Sequence, residues 1–208
     1  YRERYRRQAI NDLNLALLLD PGAEDAPDTE RTVRRLEQSS ASTQAERQQK
    51  AREHYEKGLR HQIDGNRVDA LYAFYESVQL SPRFARAHGR LVQDAVYLLN
   101  LLPKDDAEAL KTARKYEEMA WRSLSALEAL DLDRSLAQIS YFRGELNYFK
   151  FQTTPATQPE AREVARIAAV AGYEHFVLRL KAQGATEKTS APLRQSLARL
   201  AALAPKDD

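Results

Sequence analysis

The sequence predicts an all-α protein, and three observations carry that expectation. Long segments place apolar residues at steps of three and four with Lys, Arg and Glu between, as in Leu110, Ala113, Tyr116, Ala120, Leu124 and Leu127. Prolines fall where such patterns start or stop, at Pro21, Pro82, Pro103, Pro159, Pro192 and Pro205. The ring tolerates a first helical turn but not a helix interior. Nowhere do apolar and polar residues alternate with β-branched enrichment, so no strands are expected.

Taken in order, the pattern gives about nine helices: 2–20, 28–39, 43–64, 67–80, 83–102, 105–129, 132–151, 159–183 and 190–203. The first begins with the basic run Arg2, Arg4, Arg6 and Arg7, read as a solvated face, and carries Ala9, Leu13, Ala16 and Leu19 before Pro21. Asp28 caps the second, which stops at the "SSAS" of 39–42. The third holds Gly58 and closes at Gly65, whose freedom suits a left-handed C-cap. The fourth carries Ala70, Phe74, Ser77 and Leu80, and Pro82 starts the fifth. Asp105, with Glu108 three residues on, gives the sixth a capping box. The seventh is the aromatic "ISYFRGELNYFKF", the eighth opens on Pro159, and the ninth follows the loop "GATEKTSAP". Each helix is apolar on one side only, and short turns make neighbours antiparallel. The connections are too short to force a domain break, so residues 1–208 are expected to form a single helical-repeat domain.

Composition narrows the function. Of 208 residues 43% are hydrophobic and 30% charged, which excludes a disordered tail. Lys and Arg number 32 against 30 Asp and Glu, too even a balance to draw in nucleic acid or an anionic membrane. No apolar run reaches the roughly 18 residues of a membrane helix, so membrane contact is expected only through segments outside this chain. Cysteine is absent, which rules out disulfides and thiolate chemistry. The first residue, Tyr1, already lies in a helical pattern, so a mature or excised piece of a longer protein is expected.

No catalytic constellation emerges. His54 and His61 are two turns apart on one helix, wider than a helical metal pair, while His88 and His175 stand alone. There is no GxGxxG, GxxxxGK or GxSxG. Acidic residues interleave with Lys and Arg as they do on exposed faces. The expectation is no enzyme, no metal and no cofactor.

The organising feature is an echo. Ala9, Leu13, Ala16, Leu19 and Pro21 share their spacing with Ala70, Phe74, Ser77, Leu80 and Pro82. Upstream of the second copy, Gly58 costs its helix about 1 kcal/mol relative to alanine, which suggests a close helix crossing with Ala70 as the small partner and Phe74 filling the space one turn on. With Gly65 and Pro82, residues 51–84 resemble the tetratricopeptide repeat (TPR), a helical hairpin of about 34 residues. The match departs at His54 and Lys57, where the family has a large aromatic and leucine. Residues 9–21 resemble the second helix of a truncated repeat, 85–129 and 132–183 look like degenerate hairpins, and 190–203 looks like a C-terminal capping helix. In the last hairpin, the segment holding Gly144 pairs with 159–183, where Ala169, Tyr173 and Phe176 repeat the step of four and then three.

The resemblance implies a right-handed solenoid of antiparallel hairpins and a non-enzymatic scaffold that binds a partner protein or peptide on its concave face. The row it assigns to binding is Arg52, Tyr55, Leu59 and Gln62, continued by Arg86, Gly89, Gln93 and Val96 on the next leading helix. A grip on acidic chaperone tails is disfavoured, because Tyr55, Leu59 and Arg90 replace the Lys and Asn that such repeats use. The aromatics Tyr141, Phe142, Tyr148, Phe149 and Phe151 are read as core, with Trp121 and Met119. The implied setting is a bacterial envelope-associated assembly, in the periplasm or as a membrane-tethered soluble domain, with the cytoplasm as the alternative. Two other readings are a small-ligand component supporting a transporter, with a cavity lined by Tyr141 and Tyr148, and an accessory domain of a larger enzyme.

Overall fold

The computed structural model describes residues 2–19, 26–131 and 137–204. These residues form eight helices: α1 (Arg2–Leu19), α2 (Ala26–Ile63), α3 (Arg67–Leu80), α4 (Ala85–Leu101), α5 (Ala107–Leu130), α6 (Ala137–Thr153), α7 (Pro159–Ala182) and α8 (Ala191–Leu203). No strand occurs among them. The helices expected at 28–39 and 43–64 are one, because Ser and Ala at 39–42 carry neither Gly nor Pro and nothing there breaks a helix. Asp28 sits inside the first turn of α2 and pairs with Arg31 at 2.6 Å instead of capping. The cap of α5 is Asp106 rather than Asp105; its carboxylate accepts from the N–H of Glu108 at 2.8 Å and of Ala109 at 3.3 Å. Pro82 lies in the turn before α4 and does not start it.

The chain divides into two compact units, residues 1–52 and 53–208. In the first, Val33 is buried and Ala9, Leu13 and Leu36 are half-buried. The side chains of Ala16 and Leu19, and Pro21 as a whole, lie outside the described residues, so the echo is seen there only as helix.

In the second unit α3 packs on α4, α4 on α5, α6 on α7 and α7 on α8, while α6 also touches α4 and α5. One core runs through Ala70, Leu71, Phe74, Leu91, Val92, Ala95, Ala120, Leu124 and Leu146; a second joins Tyr148, Ala169, Tyr173 and Leu203. Gly65 closes α2 with φ of 80°: its N–H donates to Gln62 and that of Asn66 to His61, which satisfies the last carbonyls of the helix.

Two glycine joints set the spacing of the hairpins. A methyl at Gly58 would stand 2.5 Å from Cε1 of Phe74, so the ring lies directly over the glycine. Phe74 fills the space over Gly58 as expected, and Ala70 is fully buried one turn before it. A crossing of small on small occurs between α6 and α7. A methyl at Gly172 would stand 2.6 Å from the Gly144 nitrogen and 2.9 Å from the Ser140 carbonyl oxygen. Tyr173 then covers Gly144, its ring 2.9 Å from where a methyl would sit.

Candidate functional site

Two buried carboxylates hold the second unit together, contrary to the expectation that its acids decorate exposed faces. Asp94 on α4 has no exposure. Its oxygens accept from Gln62 Nε2 on α2 at 2.7 Å and from Arg67 Nη1 on α3 at 2.6 Å. Burial raises its pKa above the usual aspartate value, while the Arg67 and Gln62 hydrogen bonds pull the other way.

Glu145 on α6 is 2% exposed. It accepts from Tyr173 Oη on α7 at 2.9 Å, Asn100 Nδ2 on α4 at 2.9 Å and Gln195 Nε2 on α8 at 3.5 Å. Arg199 Nε on α8 stands 3.6 Å away as an ion-pair contact, and the guanidinium also donates to Asn100 Oδ1 at 3.2 Å. That same group lies 4.2 Å from the ring centre of Tyr148. Burial opposes the Arg199 charge, but Glu145, Tyr173 and Tyr148 more than offset it and its pKa rises. Burial first, and then the Glu145 carboxylate, push the Tyr173 and Tyr141 phenols upward, so both stay protonated. Apart from Tyr141 on α6 itself, the partners of Glu145 come from other helices, so this carboxylate works as a fastener for α4, α6, α7 and α8. Near it, Lys104 donates to the carbonyls of Leu99 and Leu102 at the end of α4.

Between these fasteners runs a row on α4. Arg86, Arg90, Gln93, Tyr97 and Asn100, at steps of four, three, four and three, are all exposed. Arg86 and Arg90 form no ion pair among the described residues; the Arg90 guanidinium donates only to Gln93 Oε1, at 3.2 Å. Arg67, anchored below by Asp94, lays its guanidinium 4.9 Å from the Tyr97 ring centre.

Against this row the expected residues divide. Arg86 and Gln93 belong to it and are exposed, whereas Gly89 is half-buried and Val96 buried. Tyr55 is half-buried, its ring 5.6 Å from Phe74 and 5.0 Å from Phe84. Leu59 packs on the core and Gln62 is spent on Asp94. Arg52 is exposed and belongs to the first unit. The sequence reading missed Tyr97, Asn100, Arg67, Glu145 and Arg199. Stepping four and three onward from Arg86 reaches Arg90, Gln93, Tyr97 and Asn100.

A cavity of about 390 Å³ is bordered by Glu128, Ile139, Ser140, Arg143 and His175, and one of about 160 Å³ by Tyr75, Val78, His88 and Met119. Neither touches Tyr141 or Tyr148, which pack around Tyr173 at ring distances of 6.4 and 6.5 Å. Among the described residues no cluster of three His, Cys, Asp or Glu is arranged to hold a metal ion, and no helix is long and apolar enough to cross a membrane. Compared with known proteins, the chain matches no family model, no curated protein and no solved structure.

Proposed function

We propose that this chain is a non-enzymatic binding module, a stack of TPR-like hairpins that captures a segment of another protein along α4. The observation that carries the reading is the exposed row Arg86, Arg90, Gln93 and Tyr97, in which neither arginine forms an ion pair among the described residues. Exposed arginine beside tyrosine is the pairing that anchors protein interfaces. The row suits an extended segment bearing acidic side chains, with an apolar residue against Tyr97. The glycine joints support the stacked-hairpin reading: the same device, an aromatic ring over a mid-helix glycine, recurs at Gly58–Phe74 and Gly144–Tyr173. An envelope-associated assembly remains the proposed setting, carried over from composition alone.

The test is binding of fluorescent acidic peptides, each with one aromatic residue, read by anisotropy. Arg86→Ala with Arg90→Ala should weaken capture about tenfold or more, and added salt should weaken it in the wild type. Helicity by circular dichroism should not change. Equal affinity in the double variant would remove the assignment.

A further inference from the structure

The outward faces of α5 and α7 differ in kind. On α5, Glu108, Lys111, Arg114, Lys115, Glu118 and Arg122 are all exposed, and ion pairs at 2.5 Å tie Lys111 to Glu108 and Arg122 to Glu118. On α7, Val164 is 67% exposed, Ile167 56% and Leu178 65%, with exposed Ala171 between them. Steps of three, four and seven put these four side chains on one stripe, which exposed Glu174 interrupts between Ala171 and Leu178. Such a stripe on a helix otherwise well packed marks an interaction surface.

The register of the stripe says what covers it. Val164 and Leu178 each stand seven residues from Ala171, one before and one after. The first turns of α7 carry Glu160 and Glu163, and its last turn Arg179 and Lys181. Neither Arg179 nor Lys181 forms an ion pair among the described residues, while Glu163 has only its own neighbour Arg166, at 2.6 Å. A two-fold interface must be complementary to itself, residue i meeting j and j meeting i. This helix meets that condition when a copy of it runs antiparallel. Val164 then faces Leu178 of the second copy, and the acidic start of one helix lies beside the basic end of the other. A parallel pairing sets Glu160 against Glu160 and Lys181 against Lys181, and is opposed. The small side chain of Ala171 lets the two axes approach at the centre.

We propose that α7 is a self-association surface, on which a second copy of this chain docks antiparallel about Ala171. Val164 to Leu178 spans about 21 Å at 1.5 Å per residue, so the contact is smaller than a standard interface and the dimer is weak, on the order of tens of micromolar.

Sedimentation equilibrium on the 208-residue chain tests it, over about 1 to 300 µM. The apparent mass should rise from 23.7 kDa toward twice that value. Ala171→Glu, at an exposed position, should keep the chain monomeric throughout with unchanged helicity. Lys181→Glu should weaken the dimer about tenfold, and adding Glu160→Lys to it should restore association. Because the chain has no cysteine, Ala171→Cys should cross-link to itself on mild oxidation, while Ser125→Cys on α5 should not. A monomer at every concentration, a dimer indifferent to Ala171→Glu, or open-ended larger assemblies would each overturn the proposal.

Discussion

The joint at Gly58 and the joint at Gly144 solve one packing problem with different chemistry. In the first, Phe74 covers the glycine and the polar fastener, Asp94, is reached from Gln62 and Arg67 rather than from the covering ring. In the second, Tyr173 covers the glycine and its hydroxyl is itself bonded to the fastener, Glu145. Packing and polar anchoring are thus separate in one hairpin and carried by a single side chain in the other. The first joint closes ring on backbone; the second adds backbone on backbone at Gly172. The second is accordingly the one with less room to adjust.

That difference is open to attack by mutation, beginning where the loss is greatest. Glu145→Ala takes the buried carboxylate away from half-buried Arg199 and from the Tyr173, Asn100 and Gln195 donors and should cost about 3 kcal/mol in urea unfolding. Asp94→Ala should cost less, because it leaves two side-chain donors, Gln62 and Arg67, rather than three without their acceptor. Gly172→Ala should cost about 3 kcal/mol, because the new methyl meets main chain that cannot turn aside. At Gly58 a methyl meets a side-chain ring, and alanine gains about 1 kcal/mol of helix preference. The net loss there should be about 1–2 kcal/mol, with overpacking as its source. Equal losses at the two glycines would erase the distinction between the joints. Tyr173→Phe turns the second joint into the chemistry of the first and should cost about 1.5–2 kcal/mol, the worth of a hydrogen bond to a charged group.

The smallest expected effect is on pH dependence, through two buried groups of α4. His88 is 5% exposed, and burial lowers its pKa below 6.5 while its contact with the Pro82 carbonyl works the other way. The unfolded chain therefore binds the proton first. Stability from this group is complete above pH 6.5 and declines as pH falls below it toward the folded value. Asp94 has the opposite sign: its raised pKa means that its contribution falls as pH rises from 3.8 through the folded value. The urea midpoint should thus fall between pH 7.5 and 5.5, and His88→Gln should flatten that fall. An equal fall in the variant would mean that other groups cause it.

Much of the scaffold was legible from spacing. The Gly58 to Phe74 register, the Gly65 cap and the pairing of the Gly144 helix with 159–183 can be read from small residues and steps of three and four, because helix geometry turns sequence interval into direction. What escaped was whatever depends on a distant partner. Glu145, between Gly144 and Leu146, carries no local mark of burial; Arg199, Tyr173, Asn100 and Gln195, brought in from other helices, make that burial tolerable. The same blindness hid Asp94 and drew Tyr55 and Gln62 into a binding row, although Phe84 and Asp94 already engage them. The break expected at 39–42 failed for a local reason: serine weakens a helix without ending it.

The bond from Arg199 to Asn100 spans 99 positions of the chain. Tandem hairpins usually mature as they are synthesised, because each touches only the one before it. Here α4 waits for a guanidinium that is translated 99 residues after Asn100. Until α8 arrives, the Glu145 pocket lacks its cation, and a nascent or proteolytically shortened product should show the deficit half a molecule away, at Asn100.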